Sequence, residues 1–462
     1  MEKKLNNYLK ERVVELESLA KDMGLDWYQL SYEMVPIEVM LEVMSYGLPT
    51  RARHWKYGQS YEYQKYSGEM GASKVYELVL NNDPSYAFLL DTNPDIANIM
   101  VSAHVIGHSH FFKNNYLFKK TDNKMVYRAA ERAQRIDDYI NIYGLEKVEN
   151  IMNIGFSIEK NIDFHKGIYR KKLKKESNKI FINGVSDEFD DLLCEKDGFS
   201  MSFDSKFPSS PEYDLLWFLA NYSKIEEWEK DILSIIREES FYFFPNYYTK
   251  IMNEGFASYC HSELMQKVGV SAAEFLEYSK IHERVVQSGS NKMNINPYFL
   301  GFRMLHDIKD RWDEKHKNGD SDIDGWQKIL SVVNEEDDIS FIRNYLTKEL
   351  CEDLELFVYR VAKLKNGDKI LEIESKDLDD IKENLTKDIY NYRSPVIYVN
   401  RATKYGLELV HENTKDGSLD PNHMREVLKY IYSIWKSPVD LQTVDSKGKK
   451  MHITYDSEGC SI

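Results

Sequence analysis

Apolar positions recur at helical spacing over most of the first two-thirds of the chain. Leu5, Tyr8, Leu9, Val13, Leu16 and Leu19 mark a first helix ended by Gly24. A second runs from Pro36 to Gly47-Leu48-Pro49. Residues 94–112, opened by Pro94-Asp95, are apolar on nearly every side, the mark of a buried helix. Further helical patterns cover 122–143, 145–162, 212–222, 226–243, 248–267, 271–287 and 297–314. Residues 50–75, rich in Tyr, Gly, Arg and Lys with only weak periodicity, read as mostly loop. Val75–Asn81 and Ala87–Leu90 read as short strands around the turn Asn82-Asp83-Pro84.

Beyond about 335 the period changes. Leu356–Ala362, Lys369–Ser375, Pro395–Arg401, Leu407–Glu412, Val439–Val444 and Met451–Tyr455 alternate as strands do, with helices at 376–391 and 420–435. The pattern predicts a mainly α N-terminal domain, residues 1–335, followed by a smaller α+β domain, 336–462, with an antiparallel sheet. Within the first, 163–210 carries a basic run from Arg170 to Lys175 and then acidic, Gly- and Ser-bearing sequence, which reads as an exposed, mobile, loop-rich excursion.

Composition narrows the function classes. The 462 residues carry a formal charge of −15, which repels phosphate backbones and argues against nucleic acid as a partner. Four widely spaced cysteines (Cys194, Cys260, Cys351, Cys460) form no CxxC pair, so neither a disulfide framework nor a thiolate zinc site is expected. With no signal-like apolar core near the N-terminus and no membrane-spanning apolar run, a cytoplasmic protein is expected. P-loop, GxGxxG and GxSxG motifs are missing from the sequence.

The chemistry concentrates in two helical segments. In Ala103-His104-Val105-Ile106-Gly107-His108-Ser109-His110, His104 and His108 lie four apart, about 40° apart around a helix, the spacing by which a zincin helix presents two imidazoles to a metal. His110 lies on another side and could orient or shuttle protons. In Met252-Asn253-Glu254-Gly255-Phe256-Ala257-Ser258-Tyr259-Cys260-His261, the Asn-Glu-x-x-Ala pattern is the one that supplies a third, carboxylate ligand in gluzincin-type peptidases, and His261 follows seven residues later on nearly the same face. Two His and one Glu with an open position make a catalytic donor set, and a divalent metal, zinc first, is the expected cofactor. Val105 stands where an HExxH enzyme carries its glutamate base, so another carboxylate must serve: Glu77, alone on an apolar stretch, or Glu238 and Glu239. A polar network of buried histidines is the competing reading of the same residues. Arg51, Arg53 and His54 cluster after Gly47-Leu48-Pro49 as a candidate anion- or ligand-binding loop.

Several blocks together resemble the stage V sporulation protein R (SpoVR-like) family: Gly47-Leu48-Pro49-Thr50-Arg51 with His54-Trp55 and Gly58; Tyr76-Glu77-Leu78-Val79-Leu80-Asn81; His104 to His108 with Phe111-Phe112-Lys113-Asn114-Asn115; Thr249 to Ser258; Asn296 to Gly301; Tyr345-Leu346-Thr347; and His411 with Asp416-Gly417. The chain departs from the family pattern at His110, where an acidic residue is common, and at Phe256, where tryptophan is common. The resemblance implies a role in spore cortex formation or stress response, with a PrkA-type serine kinase and a von Willebrand-type domain protein as associated partners. It implies no settled reaction. A metal-dependent hydrolase lacking the usual glutamate, and a non-catalytic regulatory scaffold acting with those partners, are the two functions it leaves open.

Overall fold

The computed structural model describes residues 5–69, 77–173, 177–181, 200–204, 206–289, 292–363, 369–387, 389, 394–412 and 417–461. Tyr76, Lys174, Lys175, Cys194 and Asp416 lie outside them. As the periodicity implies, the N-terminal part is helical and the C-terminal part carries the larger sheet. The contacts divide the chain into two interleaved units, Met1–Leu145 with Phe241–Arg393 and Glu146–Ser240 with Ser394–Ile462. The change of period at 335 thus separates helix-rich from strand-rich sequence, while the compact units divide the chain elsewhere, and helices continue through Asp338–Tyr345 and Lys348–Asp353.

In the first unit, β1 (Leu30–Val35), β2 (Glu77–Val79) and β3 (Ser85–Leu90) form a three-stranded sheet in the order β1-β3-β2. β1 lies parallel to β3, and β2 antiparallel to it with Glu77 opposite Leu89. β3 turns through Asp91–Pro94 into the helix Asp95–Asn114, which is buried from Ile96 to Phe112. That helix is hydrophobic all round because it is covered all round: by Asn7–Asp22, Lys250–Met265 and Ala272–Val286, and by β3. Lys250–Met265 also packs along Pro297–Asn318. A Cβ added to Gly107 would lie 2.8 Å from Ala257 Cα, and one added to Gly301 would lie 2.0 Å from the Ile251 carbonyl oxygen. The helices approach so closely because nothing but hydrogen occupies those positions.

Residues 55–69, expected as loop, form a helix. It was hidden because it has no apolar stripe: Trp55, Tyr63 and Tyr66 are exposed while Tyr57 is buried. Its Tyr-rich sequence gives the period-3.6 signal nothing to follow.

In the second unit, five strands follow the order Gly459–Ser461, Lys450–Asp456, Val439–Val444, Leu407–His411, Ile397–Ala402. The sheet is mixed, not wholly antiparallel, because Leu407–His411 and Val439–Val444 run parallel. The helix Pro421–Trp435 is their crossover, and a crossover reverses the chain twice. The hairpin Val358–Lys363 with Lys369–Ser375 forms a separate two-stranded sheet in the first unit. The start of the 163–210 excursion is pinned, not free: Arg170 forms a fork on both Glu212 oxygens, at 2.9 and 2.6 Å, and stacks over Trp217. Ser177–Phe181 and Ser200–Asp204 pair antiparallel.

Gly107→Ala should destabilise the protein by about 1–3 kcal/mol through overpacking, and Gly301→Ala by more. Gly58→Ala, where an added Cβ meets nothing within 4 Å, should be neutral or stabilising by up to about 1 kcal/mol. Chemical denaturation midpoints of the three variants check the ranking.

Candidate metal centre

The side chains of His104, His108, Glu254 and Glu77 converge in the first unit, with one ligand-type atom from each within 4.8 Å of all the others. His104 and His108 come from one helix, four residues apart with ring centres 4.6 Å apart. Glu254 comes from the facing helix, brought in by the close crossing at Gly107 and Ala257. Glu77 comes from the first residue of β2. His104 Nε2 lies 3.0 Å from Glu77 Oε1 and 3.7 Å from Glu254 Oε2. His108 Nε2 lies 3.8 and 3.4 Å from the same two oxygens.

A second layer orients these groups. His108 Nδ1 donates to Asn253 Oδ1 at 2.9 Å, which leaves Nε2 to face the carboxylates. Asn253 and Glu254 therefore grip opposite edges of one imidazole. Behind His104, its Nδ1 lies 2.8 Å from His261 Nδ1, and His261 Nε2 lies 2.7 Å from His282 Nδ1. Tyr298 stacks on His104 with 6.2 Å between ring centres. Asp338 accepts from the backbone N–H groups of Ile251 and Met252 at 2.8 Å each, capping the helix that carries Glu254.

The electrostatics of the cluster favour positive charge beside the two carboxylates. Burial alone would neutralise all four groups, but their mutual attraction outweighs it. Glu77 falls to about 2 and Glu254 falls further, while His104 rises and His108 is pushed up to about 10. Two carboxylates in a buried setting hold two positive charges beside them, and a divalent cation carries the same two. His104 Nε2 and Glu254 Oε2 are buried with no partner in hydrogen-bond geometry. Their nearest opposite charges stand at 3.0–3.7 Å. Donor atoms on a tetrahedral zinc, with bonds of about 2.1 Å, stand about 3.4 Å apart. The four side chains fit a divalent metal by donor type and by spacing.

The remaining sequence candidates fall elsewhere. His110 turns away: its Nδ1 accepts from the Asp26 backbone N–H at 2.9 Å, its ring packs on Phe256, and burial lowers it to about 4. Two residues along a helix is about 200° of rotation, enough to carry it off the shared face. His261 stands behind His104, not among the converging atoms. Glu239, buried on Glu227–Tyr248, and its neighbour Glu238 are not in the cluster. Arg51 donates to the Tyr46 carbonyl and lies over the Tyr57 and Phe243 rings, so its guanidinium serves local packing. His54 is buried, and Arg53 is exposed. His282 carried no signal in the sequence: it lies 21 residues beyond His261 on another helix.

The family model for SpoVR-like proteins matches residues 3–394, most of the chain and all four converging residues. The chain belongs to the SpoVR-like family. It is also similar to an uncharacterized protein, YcgB, of Escherichia coli (strain K12), at 28% identity over 471 residues, covering 94% of this chain and 92% of that protein. No solved structure matches it. No helix among the described residues is long and apolar enough to cross a membrane.

Asp338→Ala should cost about 1–2 kcal/mol by leaving two backbone donors at the start of Lys250–Met265 uncapped. Melting the variant and wild type side by side in chelator isolates this cap from any metal contribution.

Proposed function

We propose that this SpoVR-like protein is a divalent-metal enzyme of hydrolytic type. His104, His108 and Glu254 hold the metal, and Glu77 is the carboxylate that handles the proton. The observation that carries the reading is the convergence of two imidazoles and two carboxylates on one buried point, with His104 Nε2 and Glu254 Oε2 left without hydrogen-bond partners. The metal, when bound, supplies Lewis acidity and a water of lowered pKa. Glu77 compensates for Val105. Its carboxylate enters from β2, outside the histidine helix, and reaches within 3.0 Å of a ligand nitrogen, close enough to accept a proton at the centre. Tyr298, alongside, keeps its phenol protonated, because burial and then the Glu254 and Glu77 charges raise its pKa well above the usual value. It remains a hydrogen-bond donor. We take the activity to serve sporulation or a related stress response, with spore cortex as the process and the cytoplasm as the compartment, a reading that membership of the SpoVR-like family supports.

A second reading is favoured by the number of donors. Four protein ligands close a metal site, and closed sites are structural. Glu77 as fourth ligand would make the protein a regulatory scaffold braced by its metal, acting with a PrkA-type kinase and a von Willebrand-type domain partner.

Elemental mass spectrometry of the purified protein is the first test. About one metal per wild-type chain is expected, none in His104→Ala combined with Glu254→Ala, and wild-type content in His110→Gln. Glu77→Gln separates the two readings: it keeps the metal if Glu77 is a base and loses it if Glu77 is a ligand. A wild-type protein that neither carries metal nor gains stability from added zinc would return the histidines to a polar core network.

A further inference from the structure

The three imidazoles His104, His261 and His282 form a hydrogen-bonded chain that begins at the centre and ends on a half-buried helix position. The links are Nδ1 to Nδ1 at 2.8 Å and Nε2 to Nδ1 at 2.7 Å. They come from three different helices, Asp95–Asn114, Lys250–Met265 and Ala272–Val286. His104 and His261 are buried, and His282 is partly exposed.

A neutral imidazole carries one N–H and one bare nitrogen, so each link needs one donor and one acceptor. That requirement leaves two self-consistent arrangements for three neutral rings. In the outward one, His104 Nδ1–H donates to bare His261 Nδ1, His261 Nε2–H donates to bare His282 Nδ1, and His282 carries its proton on Nε2. His104 Nε2 is then bare and faces Glu77 and Glu254. In the inward one, every proton sits on the other nitrogen, and His104 Nε2 bears a hydrogen and cannot ligate.

We propose that His261 and His282 are positioning residues that hold His104 in its Nδ1–H tautomer, so that its bare Nε2 is presented to the metal. This rests on the metal-centre reading above and extends it from the ligands to the residues that orient one of them. His108 reaches the same end by a shorter route, through the Asn253 carbonyl, which can only accept. A histidine acceptor can also donate, so His261 fixes the tautomer of His104 only if its own tautomer is fixed in turn. His282 takes that part in the outward arrangement, its bare Nδ1 accepting from His261 Nε2–H and its own proton lying on Nε2 at a half-buried position.

The test uses the full-length protein and zinc alone as the probe. Zinc affinity is measured by competition with a chromophoric chelator, cobalt(II) visible spectra report ligand geometry, and ¹⁵N shifts of labelled histidine report tautomers. His261→Phe is expected to weaken zinc binding about 10–100-fold and to alter the cobalt spectrum. His261→Gln, which keeps an acceptor, is expected to recover much of the loss. His282→Ala, at a position open enough to tolerate truncation, is expected to give a smaller loss in the same direction. In zinc-loaded wild type His282 is expected to be the Nε2–H tautomer. If wild type binds zinc and both His261→Phe and His282→Ala match it in affinity and cobalt spectrum, the positioning role is overturned while the metal centre stands. An Nδ1–H tautomer at His282 in the zinc-loaded protein overturns it as well. If wild type binds no zinc, the metal-centre reading itself fails, and the two failures are thereby told apart.

Discussion

The close crossing of three helices is the constraint on which the centre depends. Gly107 lets the histidine helix sit against Ala257, and the facing pair Gly255 and Gly301 lets the glutamate helix sit against Pro297–Asn318. A Cβ at Gly255 would stand 2.4 Å from the Gly301 carbonyl carbon, so the backbones themselves are in contact. Side chains as short as Glu and His can converge from two helices only if the backbones are this near. The same crossing places Asn253 on His108 and His261 on His104, so one packing arrangement sets both a candidate ligand and the groups that hydrogen-bond its neighbours.

That geometry explains which parts of the site were legible in the sequence. His104 and His108 declare themselves because both lie on one helix, where spacing is geometry. Glu254 is legible through a local pattern of the same kind. Glu77 was visible only as a carboxylate stranded on an apolar stretch, since its partners are brought to it by the β2–β3 pairing and the turn into the histidine helix. His282 had no local signal at all. His110 misled for the opposite reason: proximity in sequence placed it beside two candidate ligands, and helical rotation took it away to the Asp26 backbone.

The fold shows the same division between local and non-local information. Most helices with an apolar stripe and most strands with alternation are readable to within a few residues, the strand Leu30–Val35 and the helix Gly325–Glu335 being exceptions that the sequence reading does not include. The helix over 55–69 is not readable, because its tyrosines are divided between solvent and core with no periodic stripe. The parallel pair in the larger sheet follows from the helix between its strands, a connection visible in the order of elements but outweighed by the surrounding hairpins. The interleaving of the two units has no local signature, because each is assembled from segments far apart in the chain.

Charge compensation argues for the metal more strongly than the count of histidines does. A polar core network spreads its hydrogen bonds so that each buried atom has a partner. Within the cluster, the atoms without a hydrogen-bond partner are His104 Nε2 and Glu254 Oε2, two of the four donors a metal there would meet, while the outward-facing nitrogens of both histidines are satisfied at 2.8 and 2.9 Å. A network built only to stabilise the core would gain little from holding two part-buried carboxylates close together, which costs free energy unless positive charge lies between them. Protons on two imidazoles can provide that charge, and a divalent cation provides it while also satisfying the two orphaned atoms. The outer hydrogen bonds secure the far side of both imidazoles, which is the support that a metal at their inner nitrogens would require.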